Sequence, residues 1–281
     1  MYKTRGSFLV LLLCSFMNVC CHTQTENQRD HTITVFVHGT SVARRMINMS
    51  PLRPRVYCPQ GLTLAIDLPK NYHYHQMAQS CADLHNELYS VDRFYLFGWR
   101  SESFSHKNRM KSAKKLMKSL EHLAAKYYEK HSIIPDIRLI GFSHGGNVVL
   151  DTAYYAPLKI SDQTINIEAW LLGTPIQRIN HDCVNHSHFQ KVYSVYSKKD
   201  WLQRIDPQGI VNKKARKAHF WSDRVFDADA RCVQVKFTVN SQSIRHTSYR
   251  SIFKYFPSIQ KLIEQAAQGL DTCMVEVDFT L

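Results

Sequence analysis

The 281-residue chain contains no internal repeat and no low-complexity tract, so solenoids, propellers and collagen-like assemblies are excluded. Its one extended apolar run, Phe8 to Cys21, is broken by Ser15 and Asn18 and is too short to cross a bilayer comfortably. Beyond that run cysteine is thin: Cys58, Cys81, Cys183, Cys232 and Cys273 are widely spaced and odd in number, so a dense disulfide framework is not what carries the fold. Their pairing does not follow from their spacing. Acidic residues are outnumbered, 23 Asp and Glu against 36 Lys and Arg, for a formal charge of +13. That charge permits contact with nucleic acid, yet no helix-turn-helix, RNA-binding or zinc-finger signature accompanies it, and no nucleic-acid partner is expected. Two histidine-rich stretches, His73-Tyr-His75 and His181 to His188, lack the His-Glu-x-x-His spacing of a zinc enzyme. They read as polar surface loops, with neither metal nor cofactor expected.

At 44% hydrophobic content the chain can bury a full core, in one large α/β domain as readily as in two small ones. Lys3 and Arg5 followed by the apolar run have the form of a signal peptide over residues 1–21, leaving 22–281 as the folded domain. Cleavage near Cys21 fits that form, and lipid attachment at Cys20 or Cys21 is the alternative. The expectation is an exported protein: secreted, periplasmic or a membrane-associated lipoprotein. Asn48-Met-Ser50 and Asn185-His-Ser187 are acceptor sequons that matter only in a eukaryotic secretory route.

The basic residues gather in two places, Lys107 to Lys130 and Lys198 to Lys217. In the first, Met110, Ala113, Met117, Leu120, Ala124 and Tyr127 recur at three- and four-residue steps, which puts Lys111, Lys114, Lys115 and Lys118 on the other face of a helix. Such a face ordinarily serves solubility. An anionic membrane surface is the second reading.

Short branched and aromatic runs alternate with helix-compatible segments. Ile33–Val37, Phe94–Phe97, Ile137–Ile140, Ile165–Leu172, Val192–Tyr196 and Val233–Val239 read as strands, and Gln76–Leu88, Lys107–Lys130, Asn147–Ala156 and Tyr249–Gln268 as helices. That alternation predicts a mostly parallel sheet covered on both faces. Right-handed crossovers then place the residues that follow each strand along one edge of the sheet.

One stretch joins this architecture to chemistry. The strand Ile137–Ile140 runs into Gly141-Phe-Ser143-His-Gly145, and a helix leaves it. A strand, a sharp turn and a helix lift a serine hydroxyl off the sheet into an open site, while glycines leave room beside the strained backbone. Glycine is sparse here, 10 residues, so Gly-x-Ser-x-Gly arises rarely by chance.

On five segments the chain from about His31 to Gln268 resembles the α/β-hydrolase superfamily, of the serine lipase and esterase type. They are His38-Gly-Thr40, Gly141-Phe-Ser-His-Gly-Gly146, Leu172-Gly-Thr-Pro175, Tyr196-Ser-Lys-Lys-Asp-Trp201 and Arg245-His246. The resemblance implies Ser143 as nucleophile, His246 as base and Asp200 as the carboxylate that orients the imidazole, in the chain order Ser, Asp, His. Asp206 competes with Asp200. The backbone N–H groups of Thr40 and His144 would form the oxyanion hole. His38, beside that loop, reads as a structural hydrogen-bonding residue.

The chain departs from the family in two ways: the sheet starts at what is usually an inner strand, and the oxyanion segment carries no further glycines. The implied activity is hydrolysis of a small-molecule or lipid ester through an acyl-enzyme. Acyltransferase or thioesterase chemistry on the same residues, and a non-catalytic basic binding protein, are the alternatives. Segments Ser41–Asp92 and Trp201–Arg231 are expected to fold over Ser143 as a partial lid, with Tyr72, Tyr74, Met77, Ile210, Phe220 and Trp221 as candidates for an acyl groove.

Overall fold

The computed structural model describes residues 31–40, 57–102, 105–204, 224–227, 231–269 and 274–281. Residue 33 opens β1, Ile33–Val37, five consecutive buried residues of branched and aromatic type. A strand buried on both faces has no polar alternation, and this one sits mid-sheet. The edge strand β2, Gly61–Leu64, follows, then a short 3-10 turn and helix α1, His73–Leu84. Next come β3, Phe94–Gly98, and the long α2, His106–His131, which ends on Ser132 at φ 54°. The central pair is β4, Ile137–Phe142, and α3, His144–Leu150, continued by a 3-10 turn through Tyr154.

A small hairpin, β5 Lys159–Ile160 and β6 Gln163–Thr164, leads to β7, Ile167–Leu172, and then β8, Lys191–Tyr196. The rest is β9, Cys232–Val239; β10, Gln242–Ser243; α4, Ser248–Ile252; α5, Phe256–Ala266; and β11, Met274–Phe279. The helical run expected from Tyr249 to Gln268 is therefore two helices joined by a 3-10 turn, Phe253–Tyr255. Pro257 is the cause: it has no N–H to donate backwards, and it sits in the first turn of α5, where none is needed.

Among the described residues nine strands form one sheet in the order β10-β9-β8-β7-β4-β1-β3-β2, with β11 paired to β9. Strands β3, β1, β4, β7, β8 and β9 run parallel, and β2 and β10 are antiparallel. This is the α/β-hydrolase arrangement expected from the sequence. Along β1 the side chains alternate between two cores. Phe36 packs into the core that holds α1, α4 and α5, and Ile33, Val35 and Val37 into the one that holds α2 and α3. As expected, α2 buries Ala113, Leu116, Met117, Leu120 and Ala124, and leaves Lys111, Lys114, Lys115 and Lys118 exposed.

The first strand, β1, is an inner one, as expected, and a single antiparallel strand, β2, stands beyond β3. Two expectations need correction. His73 and His75 lie in α1, not in a loop, and His75 Nδ1 is bonded 2.9 Å to the carbonyl of Leu68. Tyr74 and Met77 belong to no groove: both are buried in the core, with the Tyr74 ring 5.6 Å from that of Phe36. Apolar residues at a helical spacing on α1 (Tyr74, Met77, Ala78, Cys81) cover the sheet, which is where such a stripe is most stable. Tyr72 packs against the same core, half-buried. Ile210, Phe220 and Trp221, the segment 41–56 and the leader 1–21 lie outside the described residues.

Candidate active site

At the carboxyl end of β4 the chain turns through Ser143 at φ 54°, ψ −132°, a backbone conformation that L-residues rarely adopt. Three things hold it there. Ser143 N–H donates to the Leu172 carbonyl at 2.9 Å, and its own carbonyl accepts the Gly146 N–H at 2.9 Å. The glycines remove what would collide. A Cβ on Gly141 would lie 2.4 Å from Gly146 Cα, and one on Gly145 would lie 2.2 Å from the Val37 carbonyl oxygen. Helix α3 can thus start immediately, at His144, three residues earlier than its apolar pattern suggests.

Beside the turn runs His38-Gly39-Thr40. A Cβ on Gly39 would stand 2.9 Å from Ser143 Cβ, so this segment passes directly against the serine. His38 is buried and bonded: its Nδ1 lies 2.6 Å from the Gly39 carbonyl, and its own carbonyl accepts Trp99 Nε1–H at 2.8 Å. It holds the loop, as expected. Thr40 follows, half-buried, with an Oγ1 that has no hydrogen-bond partner among the described residues. His144 is buried, and desolvation, aided by the charges of Arg109 and His246, pushes its imidazole down to about 3. It is neutral at any physiological pH, so no cation of its own stands beside Ser143.

The third strand end supplies the carboxylate. Beyond β8, Asp200 is fully buried and its Oδ2 lies 2.8 Å from Nδ1 of His246. Oδ1 accepts the backbone N–H of Gln203 at 3.0 Å, which fixes the carboxylate plane. Gly173, at φ 56°, closes over the same group: a Cβ there would lie 2.9 Å from Asp200 Oδ2. The His246 ring lies against Phe142 at a tilt of 30°, centroids 4.9 Å apart, and so comes back to the elbow that carries Ser143. Asp206 lies outside the described residues.

Residues that the sequence did not single out complete the setting. Arg224 Nη2 donates to the carbonyls of Asp200 at 2.8 Å and Lys198 at 3.0 Å, clamping the loop from outside. Ser197 Oγ accepts Ile244 N–H at 2.8 Å and ties the His246 loop to the end of β8. Beneath α3, Asn147 donates to the Pro175 carbonyl at 3.0 Å and Asn180 donates to Asp151 at 2.8 Å, while buried Arg109 donates to Gln177 at 2.5 Å. Burial pushes Asp151 up to about 6 despite the nearby Arg109 guanidinium, 3.9 Å away. A polar residue facing inward from a helix leaves no periodic mark, and Arg109 reads as one more cation of a basic helix.

No family model and no curated protein matches the chain. Solved structures with a likeness to it include a lipase-esterase related protein from Clostridium acetobutylicum, 12% identical, covering 90% of this chain and 87% of that one, with a TM-score of 0.28. Another is MenH from S. aureus, 13% identical over 89% of this chain and 85% of that one, with a TM-score of 0.29. Likeness at that level says nothing about reaction or substrate. The arrangement around Ser143 has to be read on its own chemistry.

Proposed function

We propose that the chain is an exported serine hydrolase of carboxylic esters, with Ser143 as nucleophile, His246 as general base and Asp200 as orienting carboxylate. The observation that carries this reading is the 2.8 Å bond from His246 to the fully buried Asp200 carboxylate, set against a serine held in a strained strand-to-helix turn. In the tautomer whose Nδ1–H donates to the Asp200 carboxylate, Nε2 carries the lone pair. Nε2 then takes the proton of Ser143 Oγ as the oxygen attacks the ester carbonyl. The imidazolium that forms is stabilised by the Asp200 anion and returns its proton to the departing alcohol. Water attacks the acyl-enzyme by the same route.

Negative charge develops on the carbonyl oxygen in both steps. The N–H groups of Thr40 and His144 are assigned to receive it, since Gly39 brings the first against Ser143 and the second opens α3. Loss of one such donor raises a barrier by about 3 kcal/mol, but these are backbone groups, and side-chain substitution does not remove them. A small-molecule or lipid ester is the proposed substrate, with an anionic membrane surface as the place where a lipid ester would be met. Export rests on the leader sequence. Among the described residues no helix is long and apolar enough to cross a membrane.

The test is covalent labelling with a fluorophosphonate probe, followed by a chromogenic ester series of rising acyl length. The wild-type chain should label, and Ser143→Ala should not, at unchanged thermal stability. Equal labelling of the two proteins would remove Ser143 as the nucleophile. Labelling without turnover on any ester in the series would remove the ester-hydrolase reading and leave the acyltransferase or thioesterase one.

A further inference from the structure

The base of the proposed reaction sits among aromatic rings, and the serine turn itself supplies one of them. Phe142 fills the first variable position of Gly-x-Ser-x-Gly, at the end of β4. Side chains alternate along that strand: Ile137 and Leu139 face the core that holds α2 and α3, while Ile140 and Phe142 face the one that holds α4 and α5. The residue that leads into Ser143 is thereby turned toward the segment that carries His246. Its ring meets the imidazole at 4.9 Å between centroids, with 30° between the planes. Two rings so close and so nearly parallel overlap by their faces. Tyr249 on α4 meets the same imidazole at 6.4 Å and 77°, and meets Phe142 at 6.3 Å, so the three rings close a triangle.

Phe142 and Tyr249 are buried and the His246 side chain is 12% exposed, so the contact is largely dry. Asp200 answers the charge of a protonated imidazole along one edge, at Nδ1. The charge spreads over the whole ring, however, and its faces count as well. An aromatic face is negative, and it attracts a cation within about 6 Å of its centroid, more strongly where water is excluded. A neutral imidazole gains little from the same face. The contact therefore favours the state that exists while the ester carbonyl is under attack over the resting one, which lowers a barrier rather than tightening substrate binding. An aliphatic side chain at 142 would fill the place without that preference.

We propose that Phe142 is a positioning residue for the reaction: its ring face holds the His246 imidazole at the serine elbow and stabilises the imidazolium that forms as Ser143 attacks. Tyr249 fixes the third side. A Cβ on Gly173 would lie 2.8 Å from the Tyr249 ring and 2.9 Å from Asp200 Oδ2, so ring and carboxylate crowd one place and hold each other beside His246. The proton passes from Ser143 Oγ to Nε2 while the freed electron pair of Oγ bonds the carbonyl carbon, and it leaves with the departing alcohol. Phe142 makes and breaks no bond in this sequence. The inference rests on the reading of His246 as the base.

The experiment replaces Phe142 in the full chain with mono-, di- and trifluorinated phenylalanine, which keep the shape of the ring and drain its negative face step by step. Turnover of a short chromogenic ester should fall with each fluorine, to about a tenth at three, at a constant melting temperature. KM should change little, because the imidazolium forms in both acylation and deacylation. Fluorophosphonate labelling should slow in the same order, and Phe142→Leu should lose at least as much turnover as the trifluorinated protein. The same fluorine series at Phe94, buried in the same core at the amino end of β3, should leave turnover unchanged. A wild type that labels and turns over but does not respond to fluorine at 142 would overturn this inference alone. So would full turnover in Phe142→Leu, an equal loss from the Phe94 series, or a rate that falls only as the melting temperature falls. A wild type that neither labels nor hydrolyses would overturn the hydrolase reading, and this inference with it.

Discussion

At the scale of single residues, Asp200 and Gly173 are the positions where the reading of the site is most exposed to test. Asp200 is fully buried, with one oxygen on His246 and the other on the Gln203 N–H. An asparagine there keeps the shape but offers His246 an ambiguous partner, so Asp200→Asn should lower kcat by about 10⁴ with little change in KM. Asp206→Asn should be mild, and the reverse ranking, read in steady-state kinetics, would transfer the orienting role to Asp206. Gly173→Ala acts on the same carboxylate without removing it. The new Cβ would meet Asp200 Oδ2 at 2.9 Å and the Tyr249 ring at 2.8 Å, at a φ of 56° that alanine adopts only under strain. Thermal unfolding should fall by several degrees, for a cost of about 1–3 kcal/mol, and turnover should fall with it. An unchanged melting temperature would mean that the loop has room that the geometry denies. The sequence singles out Ser143, Asp200 and His246 because each follows a strand that reads plainly, and the structure shows Asp200 bonded to His246; Arg224 and Ser197 escape it, since a backbone clamp and a loop tie have no residue pattern of their own.

At the scale of elements, α3 rests on a polar underside, and its pH dependence follows from Asp151. Burial raises that carboxyl to about 6 from an ordinary 3.8. Below 3.8 both folded and unfolded chains hold the proton. Between 3.8 and about 6 the unfolded chain ionises while the folded one resists, so stability from this group falls as pH rises, by about 3 kcal/mol in all. His144 and His188, depressed by burial to about 3 and about 4, have the opposite slope: their contribution is present above 6.5 and is lost as pH falls toward those values. The wild-type profile alone therefore mixes the two signs. Urea unfolding of wild type and Asp151→Asn from pH 4 to 7 separates them, because the variant keeps the oxygen that accepts from Asn180 and loses only the titration. Stability of the variant relative to wild type should rise with pH across that window, and a constant difference would remove Asp151 as the source. The parallel strands were readable because burial on both faces leaves continuous apolar runs, as in β1. Two edge strands were not. β2 is half-buried at all four positions and opens on Gly61 at φ 84°, while β11 alternates exposed and buried residues over six positions beyond the last expected helix. Neither presents the run that marks an inner strand.

At the scale of the whole molecule the question is what the +13 charge is for, since the fold itself does not need it. One basic surface is the outer face of α2, with Lys111, Lys114, Lys115 and Lys118 exposed along a helix whose other side covers the sheet. The other is the segment that leaves β8 beside Asp200, where Lys198 and Lys199 are exposed and the indole of Trp201 is 61% exposed next to Leu202 at 39%. Apolar and basic groups side by side at the mouth of a site suit an anionic lipid surface, where the charges attract and the indole settles at the headgroup level. A basic helix face turned away from the sheet suits solubility. The two surfaces can be separated by replacing each lysine set of the first with Gln, and in a second protein Lys213, Lys214, Arg216 and Lys217, which follow Trp201 in sequence. If the charge serves access to a lipid ester, the second set should lower hydrolysis on anionic vesicles several-fold, an effect that fades at high salt, and leave a short soluble ester untouched, whereas the α2 set should change neither. Equal losses on vesicles from both sets would mean attraction by net charge without orientation. No loss from either would leave a hydrolase of soluble esters whose positive charge keeps it in solution.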